Sequence, residues 1–449
     1  MKMPLVTIVG RPNVGKSTLF NRILRKREAI VHDTPGVTRD RHFANTDWNG
    51  RAFILVDTGG YLPKTKELIE NAIREQVEIA ITQSDVLMFV VDLATGISDI
   101  DQQIAEKLMR YGKPTLLLVN KVDHQMLESE AYQFYNLGIG EPIMISAAQG
   151  RGIGDLLDVL GDRLQEVLSL DADRRDARKE DADVIKLAII GRENVGKSSF
   201  VNTITGEDRI IVTPDPGTTR DSIDMQLKYQ NQNYLLIDTA GLKRRAKVQE
   251  NVLFYSQLRT LRSLQRADVV LYFVDATEGL TRQDLRMLGE AVTSKKAVIL
   301  VVNKWDLIQK DQNTLHQWEI EFKERMGNLN YIPLVFTSVI QKKRLYKLMD
   351  EVSEVYKELN REIRTKDLNS VLLPIIDENS PPAIRGKEIK INYITQVKSS
   401  PPLFAFFGNH PALIPPNYRR FLEKQIRSCW GFKGVPVNIV FKSKRKSKR

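Results

Sequence analysis

Apolar and polar residues fall in blocks along this chain. Short runs rich in Val, Ile, Leu and Phe, such as "PLVTIVG" (4–10), "AFILVDT", "DVLMFVVD", "PTLLLVN" and "PIMIS", are separated by stretches with helical spacing. The same succession starts again at residue 184 with "VIKLAIIG", "YLLIDT", "DVVLYFVD", "AVILVVN" and "PLVFTS". Runs this apolar belong to strands covered on both faces, and strands alternating with helices form mostly parallel sheets. The pattern predicts two doubly wound α/β domains, over residues 3–167 and 185–356. Between them "DADRRDARKEDAD" (171–183) holds six acids, four bases and no large apolar residue, so residues 168–184 are expected to be a charged, solvated linker.

The pattern changes after residue 356. "EIKINYIT" alternates Ile389, Ile391 and Tyr393, and "VPVNIVF" alternates Val435, Val437, Ile439 and Phe441, as half-buried strands do. "PLFAFF" reads as a further strand. Tyr418, Phe421, Leu422, Ile426 and Cys429 follow helical spacing, which predicts a helix with Cys429 in the core rather than acting as a nucleophile. "GFKG" (431–434) reads as the stop of that helix. A small α/β domain over 357–443 and a basic tail over 444–449 complete the chain.

Charge sharpens this division. The net charge of the 449 residues is +11, but residues 361–449 alone carry +12 and the remainder −1. Six of the cations lie in "FKSKRKSKR", which ends the chain. A composition of 42% hydrophobic and 27% charged residues is that of a globular protein. No apolar run reaches the roughly 18 residues of a membrane span, and "MKMPLVTIVG" lacks the zones of a signal peptide, so a cytoplasmic location is expected. A single cysteine excludes an intramolecular disulfide.

The chemistry lies in paired motifs. "GRPNVGKST" supplies Gly10, Arg11, Pro12, Asn13, Val14, Gly15, Lys16, Ser17 and Thr18. "GRENVGKSS" supplies Gly191, Arg192, Glu193, Asn194, Val195, Gly196, Lys197, Ser198 and Ser199, 181 residues later. Both have the form GxxxxGK[ST] between an apolar run and a helical pattern. Glycines let backbone N–H groups turn toward phosphate oxygens at a helix N-terminus, the Lys neutralises β and γ phosphates, and Ser17 or Ser198 ligates Mg²⁺. The base is chosen elsewhere. "NKVD" (Asn120, Lys121, Val122, Asp123) and "NKWD" (Asn303, Lys304, Trp305, Asp306) follow apolar runs, where α/β sheets bind ligands. A carboxylate at Asp123 or Asp306 accepts both N1–H and N2–H of guanine, which adenine does not offer, so GTP is selected over ATP.

Other pairs keep the spacing. Thr38 in "DTPGVTRD" and Thr219 in "DPGTTRD" each lie 22 residues beyond the loop lysine. "DTGG" (Asp57, Thr58, Gly59, Gly60) precedes Tyr61, and "DTAG" (Asp238, Thr239, Ala240, Gly241) precedes Leu242. Thr38 and Thr219 are placed to complete a Mg²⁺ shell, Asp57 and Asp238 to hold the metal through water, and the N–H of Gly60 or Gly241 to meet the γ-phosphate. Loss of that phosphate would relax both loops. Base-closing loops begin at Ser146-Ala147 and Ser338-Val339, where the backbone N–H of Ala147 or Val339 is expected to reach guanine O6. No cluster of His, Cys and carboxylates suggests a transition metal, and His32 reads as a polar surface residue.

Two such domains in tandem before a basic module resemble the bacterial double-GTPase family called Der or EngA, over essentially residues 3–443. The resemblance implies two Ras-like G domains and a KH-like domain, with a role in assembly of the large ribosomal subunit and contact with rRNA. "GRPNVGKS" and "PGTTRD" also resemble the wider group containing Era and MnmE. In that group an Asn at the position of Asn13 and Asn194 implies potassium beside the β and γ phosphates. Tyr61 and Leu242 stand where Ras-like enzymes place a water-orienting Gln, so the resemblance implies slow hydrolysis through Lys16, Lys197, Mg²⁺ and K⁺. Where the family usually has Ser-Ala and glycines, the second base loop has Val339 and "QKKR".

Some alternatives stay open. The protein is expected to be a monomer that hydrolyses GTP, or a GTP-regulated RNA-binding scaffold with negligible turnover in one domain. A tRNA-modifying enzyme would need a further cofactor domain and a catalytic Cys. The run "LKRRAK" (242–247) is either a solvated charge run or an RNA or interdomain contact. The C-terminal domain is either an RNA-binding module or a docking platform for the G domains.

Overall fold

The computed structural model describes residues 3–25, 43–58, 81, 83–176, 184–207, 210–213, 224–238, 260–309, 311, 313–384 and 386–443. The chain divides into two compact units, Met1–Ala182 with Lys247–Arg262, and Asp183–Ala246 with Ser263–Arg449.

In the first unit, β1 (Leu5–Val9) leads through a loop into α1 (Lys16–Arg25), followed by the strands β2 (Phe43–Trp48) and β3 (Arg51–Asp57). Then come β4 (Val86–Asp92), α2 (Asp99–Tyr111), β5 (Thr115–Asn120), β6 (Pro142–Met144) and α3 (Ile153–Asp176). The sheet order is β2-β3-β1-β4-β5-β6, parallel except for β2. The apolar runs are buried on both faces: Ile8, Leu55, Met88, Val90 and Leu118 on one side, Val9, Phe89, Val91, Leu117 and Val119 on the other. The strand order reverses at β1, which opens a crevice beyond its carboxyl end. Helix α3 continues to Asp176, past residue 167 where the linker was expected to begin. Nothing from 168 to 176 is Gly or Pro, so no residue stops it. Residues 177–183 lie outside the described residues.

The second unit repeats this plan. It comprises β7 (Val184–Gly191), α4 (Lys197–Thr205), β8 (Ile211–Thr213), β9 (Met225–Tyr229), β10 (Gln232–Ile237) and β11 (Val269–Asp275). After these come α5 (Arg282–Thr293), β12 (Ala297–Asn303), α6 (Thr314–Met326), β13 (Leu334–Phe336) and α7 (Leu345–Leu359). Its sheet runs β13-β12-β11-β7-β10-β9-β8, again with the order reversing at the strand before the glycine-rich loop.

The C-terminal module adds α8 (Thr365–Glu378), β14 (Ile391–Lys398), β15 (Leu403–Gly408), α9 (Pro416–Trp430) and β16 (Asn438–Ser443). Its sheet is β14-β15-β16, with β14 antiparallel and β16 parallel to β15. The module does not have a core to itself. Leu368, Leu372, Phe404, Phe406, Leu422 and Ile426 belong to the same apolar cluster as Leu271, Ile299, Leu348 and Val352 of the second G domain. "GFKG" does stop α9: Gly431 has φ 88° and its N–H donates to Arg427 O at 2.9 Å. It also docks. Val298 N–H donates to Gly434 O at 2.8 Å, and Gly434 N–H to Tyr331 O at 2.9 Å. Phe432 N–H donates to Glu358 Oε2 at 2.9 Å, and Arg427 lies 3.5 Å over the Tyr331 ring.

Two expectations for the module fail. Cys429 is exposed. The inward stripe runs Tyr418, Leu422, Ile426, with Trp430 packed against the same core, in steps of four, which turns position 429 outward. Tyr393 is 46% exposed, because a register shift between Ile391 and Tyr393 reverses the alternation and turns Ile394 inward instead. Among the described residues no helix is long and apolar enough to cross a membrane.

Candidate functional site

Each glycine-rich loop leaves the central strand of its sheet, at the point where the strand order reverses. Gly10 has φ 150°, and a Cβ there would lie 2.3 Å from Val90 O; at Gly15, with φ 95°, it would lie 2.2 Å from Asn120 Nδ2. Gly191 and Gly196 meet Phe273 O at 2.3 Å and Asn303 Nδ2 at 2.2 Å in the same way. Only glycine fits these four positions. Asn13 and Asn194 are exposed at the loop tips in the left-handed region, with φ 64° and 61°. Lys16 and Lys197 then begin the following helices, whose N-termini carry partial positive charge.

Both lysines curl back under the loop. Lys16 Nζ donates to Gly10 O at 2.8 Å and Arg11 O at 2.7 Å. Lys197 Nζ donates to Gly191 O at 2.7 Å and to Arg192 O. Burial lowers each ammonium to about 8, partly offset by Asp57 beside Lys16 and by Glu193 beside Lys197. A polyphosphate in the loop would compensate the buried charge.

Ser17 Oγ donates to Asp57 Oδ2 at 2.5 Å, so the two residues expected at a metal meet at the carboxyl ends of β1 and β3. A hydroxyl and a carboxylate form an all-oxygen donor pair that suits Mg²⁺. Thr58 Oγ1 is turned away, donating to Ile8 O at 2.8 Å. In the second domain Asp238 has φ 59°, its N–H donates to Asp224 Oδ1 at 3.1 Å, and Ser263 Oγ lies 3.5 Å from its carboxylate. Ser198 is exposed at the start of α4.

The base-side residues are clamped to the loops by one Asn each. Asn120 Nδ2 donates to Val14 O at 2.7 Å while its Oδ1 accepts from Ala147 N–H at 2.9 Å. Asn303 does the same with Val195 O at 2.9 Å and Val339 N–H at 3.1 Å. Val339 thus presents its backbone as Ala147 does. The glycines missing from the second base loop are replaced by residues that accept the same backbone: Gly150 and Gly152, at φ 85° and 68°, correspond to Lys342 and Arg344, at φ 55° and 61°. Asp123 is oriented by Ser146 Oγ at 2.6 Å, and Asp306 lies half-buried in the turn after Lys304. Trp305, in the place of Val122, is packed on Phe336 and Trp318 at 4.5 and 5.2 Å.

Two carboxylates escaped the sequence reading. Lys121 and Lys304 sit at φ 69° and 60°, and pair with Asp92 at 2.5 Å and Asp275 at 2.6 Å, the final residues of β4 and β11. The signal was present: both apolar runs end in Asp, at the carboxyl edge of the sheet. Of the remaining expected site residues, Thr38, Gly59, Gly60, Tyr61, Thr219, Thr239, Ala240, Gly241 and Leu242 lie outside the described residues, as do His32 and the run 242–247.

The family model described as "50S ribosome-binding GTPase" matches residues 5–121 and 186–304, and that described as "KH-domain-like of EngA bacterial GTPase enzymes, C-terminal" matches 362–442. The chain is 47% identical over 443 residues to GTPase Der of Chloroherpeton thalassium, covering 98% of this chain and 100% of that one. It is 46% identical over 448 residues to GTPase Der of Desulforamulus reducens, covering 100% of both. A solved structure of Era from Aquifex aeolicus bound to GDP.AlF4- matches at 24% identity and a TM-score of 0.31, over 58% of this chain and 93% of that one. With two G domains, a KH-like C-terminal module and relatives matched from end to end, the chain belongs to the GTPase Der family and hydrolyses GTP.

Proposed function

We propose that this GTPase acts in assembly of the large ribosomal subunit, touching rRNA in a manner set by the nucleotides in its two G domains. The concentration of +12 net charge in residues 361–449, against −1 in the rest, is the observation that carries this reading. Phosphate backbones draw such segments electrostatically. The description of the matching family as ribosome-binding supports the same partner. A monomer in the cytoplasm would suffice for this role.

The loops 10–18 and 191–199 would cradle the phosphates, with Lys16 and Lys197 neutralising them. Asp123 and Asp306 would read guanine, whereas the N–H groups of Ala147 and Val339, which here donate to Asn120 Oδ1 and Asn303 Oδ1, would reach its O6 only by exchanging those bonds. Mg²⁺ would be held by Ser17 and Thr38, with Asp57 acting through water, in one domain and by Ser198 and Thr219, with Asp238 acting through water, in the other, supplying charge neutralisation to the β and γ phosphates. Thr38, Thr219, Gly60 and Gly241 would sense the γ-phosphate. Asn13 and Asn194, exposed at the loop tips, would place K⁺, so exchanging potassium for sodium should slow hydrolysis beyond any change in affinity. Equal rates in both salts would remove the potassium assignment alone.

The ribosomal role is tested with substitutions rather than by deleting the module, since deletion would open the core shared with the second G domain. Full-length protein is compared with a variant carrying Gln at the six cations from Lys442 to Arg449, and with Arg420→Ala/Lys424→Ala on the exposed face of α9. Sedimentation with large-subunit particles is followed against salt. Removing one cation that neutralises a phosphate should reduce the slope of log affinity against log salt by about 0.7–0.9. Unchanged binding in both variants would move the RNA-facing surface elsewhere.

A further inference from the structure

Beneath each phosphate loop lies a buried carboxylate that no motif marks. Asp101 and Asp284 occupy the third position of α2 and α5, and each closes a capping box with the hydroxyl residue before the helix, Ser98 or Thr281. Their side chains are wholly buried. A buried carboxylate is expensive unless paired. Each is paired with the arginine that follows the first loop glycine: Arg11 Nε lies 3.1 Å from Asp101 Oδ2, and Arg192 Nε 3.1 Å from Asp284 Oδ1. The carbonyls of those arginines accept the hydrogen bonds of Lys16 Nζ, at 2.7 Å, and of Lys197 Nζ. A continuous path therefore runs from a helix cap through the arginine to the phosphate-neutralising lysine, in both domains.

The path is not equally complete in the two domains. In the second, Tyr272 Oη donates to Asp284 Oδ1 at 3.0 Å, while Oδ2 takes the N–H and hydroxyl of Thr281 at 2.9 and 2.6 Å. Burial, with Asp284 beside it, pushes the Tyr272 hydroxyl up, so it remains a donor. In the first domain Phe89 takes the matching register on β4, opposite Val9 as Tyr272 is opposite Ile190, and it has no hydroxyl. Asp101 Oδ2 then receives Arg11, Ser98 N–H and Ser98 Oγ together, while buried Oδ1 has no hydrogen-bond partner among the described residues. The arginines differ too: Arg192 Nη1 reaches the Glu278 carboxylate at 2.6 Å, though its buried Nη2 has no hydrogen-bond partner among the described residues, where Arg11 Nη2 reaches the neutral hydroxyl of Thr95.

We infer that Asp101 and Asp284 are positioning residues for the phosphate loops, acting through Arg11 and Arg192, and that the Phe89/Tyr272 difference leaves the first loop less firmly held than the second. A loop held before its ligand arrives loses less freedom on binding. The inference rests on the loops being nucleotide sites, so its first test is made without nucleotide.

Amide hydrogen exchange of residues 10–16 and 191–197 is followed by peptide-resolved mass spectrometry in the full chain, for wild type, Phe89→Tyr and Tyr272→Phe. Wild type should exchange faster in the first loop. Phe89→Tyr should slow the first loop by about threefold to tenfold, the worth of one net hydrogen bond, and leave the second untouched. Tyr272→Phe should accelerate the second loop by a similar factor while β7 and β11 keep their protection, which a general loss of structure would not spare. If Phe89→Tyr is not tolerated in the core, Tyr272→Phe decides alone. A second loop unmoved by Tyr272→Phe would overturn the inference. With GTP added, Tyr272→Phe should raise KM with little change in kcat. An unchanged KM beside altered exchange would instead mean that the loops are held as inferred but do not bind the nucleotide.

Discussion

The two glycine-rich loops share a backbone and differ in what supports it. Gly10, Asn13 and Gly15 and their counterparts Gly191, Asn194 and Gly196 repeat the same positive φ values to within 3°, and one Asn clamps each loop to its base loop. The supports diverge. Phe89 stands where the second domain has Tyr272, Val122 where it has the packed Trp305, and Gly150 and Gly152 where it has Lys342 and Arg344. Backbone groups that meet phosphate or base admit few solutions, whereas residues one layer away need only hold them. The second domain also carries a load the first lacks, since its core continues into the C-terminal module.

The largest expected effect separates the sites outright. Lys16→Ala and Lys197→Ala should each cost about 100-fold or more in GTP affinity at one site and leave the other intact, because each removes charged hydrogen bonds to phosphate. Calorimetric titration would show stoichiometry falling from two to one. Loss of both sites from either variant would break the comparison by making the domains interdependent.

Gly434→Val should destabilise the second unit by about 1–3 kcal/mol, the usual cost of overpacking. A Cβ at Gly434, where φ is 70°, would lie 2.9 Å from Val298 O and 3.1 Å from Val355 Cγ2. Hydrogen exchange in β12 should rise while β5 of the first unit keeps its protection. Equal loosening of both strands would show that the units do not unfold separately.

Titration should treat the sites alike. Burial lowers Lys16 and Lys197 to about 8, and the negative charge of a bound phosphate would raise them. GTP affinity at both sites should therefore be full below pH 8 and fall as pH rises above it, by up to about tenfold per unit. Affinity measured between pH 7 and 9 checks this, and an affinity rising over that range would contradict the lysine assignment.

The smallest effect concerns the second base loop. Arg344 holds a left-handed backbone that favours glycine, so Arg344→Gly should stabilise the second unit by about 1 kcal/mol in denaturant unfolding. The reverse change, Gly152→Arg, should destabilise the first unit more, since its Cβ would lie 2.2 Å from Met144 O.

Most of this architecture was legible in the sequence because buried parallel strands leave continuous apolar runs, and because the loop glycines are fixed by backbone clashes that nothing else relieves. What was not legible depended on tertiary partners or on single-residue register. A bulge turned Tyr393 outward, and a stripe in steps of four turned Cys429 outward. "GFKG" could be read as a helix stop but not as a plug, since Val298 and Tyr331 lie 136 and 103 residues before Gly434 in the chain. Asp92, Asp275, Asp101 and Asp284 looked like ordinary strand ends and helix caps. Their second role appears only where the loop folds back on them. That Lys342 and Arg344 take the left-handed backbone of Gly150 and Gly152 was likewise not legible, since neither residue type signals it.

The presence of two guanine sites of equal backbone and separate support underlies all of these outcomes. It is tested most directly by titrating full-length Asp123→Asn and Asp306→Asn with GTP and with xanthosine triphosphate. An amide can donate to the 2-oxo group of xanthine but cannot accept both guanine protons. Each variant should keep one GTP site, lose the other by on the order of 100-fold, and gain one xanthosine triphosphate site. Two undiminished GTP sites in either variant would contradict the account.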